Sequence, residues 1–164
     1  MMTHLLIAAC VAMFLASAVA SSAGPPGETQ TMSDTAREVL EPPFHFLLKL
    51  PGYAAAHVTH DADIFSTWGE LVLATKDGGH PTRAEMRKKL TKAARNAGWV
   101  PAVDVADLQT PALAHYGIEQ RNEDLALQKT SALPGQNPPT RYSCRIWISN
   151  DGKLIIVAYR VDGE

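Results

Sequence analysis

Residues 57–63 read His57-Val58-Thr59-His60-Asp61-Ala62-Asp63, a heptad carrying two imidazoles and two carboxylates. Neutral imidazoles with a carboxylate suit Zn²⁺ or Cu²⁺. A histidine–aspartate pair can also move protons when burial brings a pKa near the working pH. On a strand, His57, Thr59, Asp61 and Asp63 share one face and His60 points away; on a helix, His57 and His60 share a face with Asp61 nearby. Ala54-Ala55-Ala56 permits the helix, and Val58-Thr59 favours the strand. The spacing lacks the His-Glu-x-x-His signature of zinc hydrolases. A third donor has to come from a distant imidazole, with His45, His80 and His115 available. The plainer expectation is a polar strand end or turn whose aspartates accept local backbone amides.

Two other groups of residues invite a partner. From 83 to 95 the sequence places Arg83, Arg87, Lys88, Lys89, Lys92 and Arg95 against one acid, Glu85, a basic stripe suited to an acidic envelope protein, a lipid headgroup or a polyanion. Arg145 and Trp147 alternate with apolar neighbours and define the other face of their strand. Arg87, Lys88, Lys92, Arg95, Arg145 and Trp147 are therefore the expected partner-binding residues. Cys144 alternates with Tyr142, Ile146 and Ile148, so it reads as a small core hydrophobe rather than a nucleophile. Phosphate loops, Gly-x-Ser-x-Gly elbows and Cys-x-x-Cys pairs are absent from the sequence. A formal net charge of −2 gives no electrostatic case for nucleic acid.

The elements that position these residues follow from local signals. Leu5 to Leu15 is an apolar run, followed by Ala18-Val19-Ala20, a small-x-small site with cleavage expected before Ser21. The run is shorter than the roughly 20 residues a bilayer span needs, so residues 1–20 read as a signal peptide and the chain as exported, to the periplasm or beyond. No transmembrane span is expected in the mature chain. Ile7-Ala8-Ala9-Cys10 resembles a lipoprotein box, but cleavage there leaves too short an apolar region. Residues 21–32 hold Gly24-Pro25-Pro26-Gly27 and read as a flexible linker. Residues 33–164 read as one small domain.

Within that domain, residues 33–41 can form one or two helical turns before Pro42-Pro43. The apolar run 44–50 reads as a short buried strand, and Trp68 to Thr75 as another. Thr82-Arg83-Ala84-Glu85 is a capping box opening an amphipathic helix that ends at Gly98. Residues 102–117 read as a connection with a helical turn near its end, 124–129 as a strand, and 131–140 as a loop. Two strands joined by Asn150-Asp151-Gly152 close the chain, the last apolar on both faces and hence central. The expected fold class is α+β: one main amphipathic helix on a mainly antiparallel sheet, ending in a C-terminal β-hairpin. The expected function is non-catalytic binding in the periplasm or cell envelope, with no cofactor. The alternative is a metal-dependent or acid/base enzyme, or a metal-binding protein, using His57, His60, Asp61 and Asp63 with zinc or copper.

Overall fold

The computed structural model describes residues 26–163 apart from 77, 80, 104, 106, 107, 109, 119–121 and 133–137, with side chains from residue 31 onward. Residues 1–20, read above as a signal peptide, lie outside the described residues with Cys10, and so does His80. Among those described, four α-helices accompany a seven-stranded sheet whose pairings are all antiparallel. The helices are α1 (Pro26–Val39), α2 (His45–Leu48), α3 (Arg83–Asn96) and α4 (Pro111–His115). The strands are β1 (Tyr53–Val58), β2 (Asp61–Ala62), β3 (Ser66–Thr75), β4 (Val100–Pro101), β5 (Leu125–Ser131), β6 (Thr140–Ile148) and β7 (Leu154–Asp162). The sheet order is β1-β3-β7-β6-β5-β4, with β2 on the edge of β3. The α+β class and the C-terminal hairpin thus stand as expected. No helix among the described residues is long and apolar enough to cross a membrane.

Two local expectations change. Helix α1 begins at Pro26, inside the stretch read as linker, and matches α3 at 14 residues. A proline at the first helical position loses no hydrogen bond, so Pro26 opens the helix instead of preventing it. Residues 44–50 are not a strand: a 3-10 turn at Pro42–Phe44 runs into α2. Pro42 starts that turn for the same reason, and the His45 ring bonds the Leu40 carbonyl oxygen at 2.9 Å. Phe44, Phe46, Leu47 and Leu50 are buried, and so short an apolar run is not separated from a strand by periodicity alone.

Each sheet face has its own core. On one, Leu40, Phe44 and Leu47 with Met86, Leu90 and Ala94 of α3 pack against Leu71, Ile146, Ile155, Val157 and Tyr159. Phe44 sits amid aromatic rings, 5.1 Å from Trp99 and 5.2 Å from Tyr159 between centroids. The capping box of α3 is formed as expected. On the other face, Val72, Trp147, Ile156 and Ala158 lie beneath Leu108, Ala112 and Leu113 from the connection that carries α4. Trp147 is therefore buried, at 2% exposure, and not offered to a partner. The Arg145 guanidinium lies 5.3 Å from the Trp147 ring and bonds Glu123 at 2.7 Å. Alternation told which face these residues occupy; it did not tell that the connection covers that face.

Asp124 ties α3 to the sheet. Its carboxylate accepts the Ile148 amide at 2.8 Å and pairs with Arg83 at 2.6 Å, with the aspartate side chain 3% exposed. Asp124→Ala leaves a buried amide without its partner and should lower the unfolding free energy by about 1–3 kcal/mol. Denaturant unfolding measures this, and a loss under about 0.5 kcal/mol, the scale of an ordinary surface change, would show the tie to be dispensable.

Candidate functional site

The heptad spans the end of β1, a turn and β2, and the sheet decides where its side chains go. β1 pairs with β3 through a bulge between Ala55 and His57, so His57 lies opposite Val72 and Val58 opposite Leu71. Cross-strand partners share a face. Without the extra residue His57 would follow Tyr53 and Ala55 toward the helices. The bulge turns it to the face of Val72 and Glu70, a re-aiming that bulges commonly perform.

Thr59 anchors the turn beyond the strand. Its hydroxyl accepts the Glu70 amide at 3.0 Å, and its own amide donates to the Glu70 carbonyl at 2.8 Å. The Thr59 carbonyl accepts the Tyr159 hydroxyl at 2.8 Å, and Nδ1 of His60 lies 3.4 Å from the Tyr159 hydroxyl oxygen. This approach needs Gly69, because a Cβ there would overlap the Thr59 carbonyl oxygen and the Tyr159 hydroxyl. Burial pushes the Tyr159 phenol up to about 12, so it acts as a fixed donor. The aspartates serve the local backbone: Asp61 accepts the Ala62 amide at 2.9 Å, and Asp63 accepts the Phe65 and Ser66 amides, both at 2.7 Å. Those two bonds hold the Asp63 carboxyl below its ordinary range.

A cleft of about 910 Å³ opens beside this turn, on the sheet face that α4 covers. Both histidines and both aspartates of the heptad, His57, His60, Asp61 and Asp63, line it together with Thr59. Facing them are Trp68 and Glu70 from β3, Ala158 and Arg160 from β7, and Leu108, Pro111, Ala112, His115 and Tyr116 from around α4. His115 is thus one of the distant imidazoles brought to the heptad, whereas His45 bonds Leu40 instead. Among the described residues no three His, Cys, Asp or Glu side chains are grouped closely enough to hold a metal ion.

Glu70 is the residue that the sequence reading passed over. It is 8% exposed, on the floor of the cleft. Its Oε1 accepts the Ala112 amide at 3.3 Å, at the first turn of α4. Thr110 makes no side-chain cap there, so a carboxylate from the sheet takes the place of an N-cap. Burial raises the Glu70 pKa, against the opposing pull of the Ala112 bond and of His57. Its signal was present: a lone acid in Trp68-Gly69-Glu70-Leu71-Val72-Leu73, in phase with Val72 on a strand buried beyond it.

The other predicted residues are differently placed. Arg87, Lys88, Lys92 and Arg95 come together along a more open groove of about 1000 Å³ on α3, with Arg83 and Asp124. Cys144 is fully buried and its thiol is pushed far up by desolvation, which keeps it protonated. No protein-family model, curated protein or solved structure matches this chain, so its own geometry carries the reading of the site.

The raised Glu70 pKa fixes the sign of one pH effect. The folded state holds the proton to a higher pH than the unfolded chain, so this group's contribution to stability falls as pH rises from the ordinary glutamate value through the raised one. Glu70→Gln should remove that loss. The stability of the variant relative to the native protein should grow across the window and level off above it. Denaturant midpoints taken across mildly acidic to neutral pH would show this, and a difference independent of pH would contradict the desolvation of Glu70.

Proposed function

We propose that this chain is an exported, non-catalytic binding domain that holds a small molecule in the cleft between its sheet and α4. The single observation behind this reading is the cleft itself. Its volume lies within the range of roughly 300–1,000 Å³ typical of small-molecule sites. Its chemistry also fits: Trp68, Leu108, Pro111 and Ala158 offer apolar surface, while Glu70, His57 and His115 offer a few convergent polar groups. Export is supported by the Leu5 to Leu15 run and the small-residue site that follows it.

Binding accounts for the neighbouring groups better than turnover does. Asp61 and Asp63 are engaged with backbone amides, and the Tyr159 hydroxyl is engaged with Thr59. What they supply is a fixed shape, which suits a preorganised receptor. The desolvated Glu70 favours a second reading, an acid/base enzyme with Glu70 in the role first considered for Asp61.

A screen of small organic molecules against the ¹⁵N-labelled protein tests both. Hits should shift the amides of Trp68, Glu70, Ala112 and Ala158 and be recovered chemically unchanged. Recovery of altered molecules would favour the enzyme. Shifts confined to Arg87, Lys88, Lys92 and Arg95 would move the site to the basic face of α3, and an empty screen would overturn the proposal.

A further inference from the structure

We infer that the cleft selects a small organic cation, a primary ammonium carried on an apolar or aromatic body. The inference rests on the cleft being a binding site, and it follows from the charge balance of the lining. Asp61, Asp63 and Glu70 bring three carboxylates to the cleft, against one guanidinium, that of Arg160. Arg160 is paired within β7 and with β3: its Nε bonds Asp162 at 2.6 Å and its Nη2 donates to the Ser66 hydroxyl at 3.1 Å, and its charge also reaches Asp63. The imidazoles at the rim add no charge when neutral. The lining is therefore net acidic, and an anionic ligand would meet like charge there.

Glu70 sets where the cation would sit. One carboxylate oxygen accepts the Ala112 amide. The other accepts no hydrogen bond among the described residues, and no buried side-chain polar atom there lacks a partner, so this second oxygen is open to the cleft. A desolvated carboxylate without a full complement of partners is costly, and a cation that also donates an N–H bond relieves it most directly. A neutral ligand would supply the bond without the charge. Trp68 and Tyr116 line the same space, and aromatic faces attract cations. They also give an apolar body something to pack on. Glu70, Trp68 and Tyr116 come from β3 and the end of α4, so the subsite needs both layers in place.

Three probes of one shape separate charge from fit: phenethylammonium, 2-phenylethanol and 3-phenylpropionate, titrated calorimetrically into the protein purified from an exporting host. The ammonium should bind about tenfold or more tighter than the alcohol, as expected for one charge-assisted bond, and the carboxylate should not bind. Glu70→Gln should remove about that same factor for the ammonium and change the alcohol far less, since the amide oxygen can still accept from Ala112 and the amide NH2 can donate to the alcohol oxygen but repels the ammonium. Equal affinity for ammonium and alcohol in the native protein would overturn the cation inference while leaving the binding site intact. Preference for the carboxylate would overturn it in favour of the imidazoles and Arg160. No binding of any probe at millimolar concentration, together with an empty screen, would overturn both readings. The native protein's probe series decides the matter even if the Gln variant fails to fold.

Discussion

Strand β7 has no polar face to give to water. Ile155, Val157 and Tyr159 face the large helices, and Ile156 and Ala158 face the other way, all of them essentially sealed. A central strand of this kind obliges the chain to cover both sides of the sheet. The helices do so on one side. On the other, among the described residues, the stretch carrying the five-residue α4 covers Val72, Trp147 and Ile156. It stops short of the β1 end, where Trp68 and Arg160 continue the same face. The cleft is the place where the second layer runs out.

Glu70 stands at that boundary and explains how so short a helix is held. An α-helix of five residues has almost no intrinsic stability, and packing of Ala112 and Leu113 against the sheet supplies most of what keeps α4 in place. Glu70 adds an acceptor for one of its unpaired amides. An apolar residue at position 70 would pack the face without a desolvation cost, and buried charges are frequently replaceable in this way. The net upward shift shows that the Ala112 bond and His57 do not offset burial. The carboxylate carries that desolvation cost while serving as the acceptor for α4.

What could be read from the sequence was local. The α3 capping box needs only four residues, and the alternation of β6 with its Asn150-Asp151-Gly152 turn needs about a dozen. Residues 44–50 misled because a short apolar run looks the same whether buried as a helix or a strand. Trp147 misled because periodicity assigns a face and not what lies over it. The heptad was legible as residue types but not as a place. His60 meets Tyr159 across 99 positions and Thr59 meets it across 100, and the bulge that turns His57 leaves no mark in Ala54-Ala55-Ala56.

The heptad also builds the frame of the cleft rim. Asp63 folds the β2–β3 turn by accepting two amides, Thr59 fastens the preceding segment to β3, and Tyr159 fixes that segment from beneath. Each contact places the backbone of the rim, and His57 and His60 are carried with it. Even Gly69 takes part, by leaving the space through which Tyr159 reaches Thr59. The basic face of α3 has no comparable construction. Arg87, Lys88, Lys92 and Arg95 are exposed side chains on a single helix, gathered by helical periodicity. A rim held by contacts from β3 and β7 is fixed in shape, which distinguishes the cleft from a charged surface on one helix.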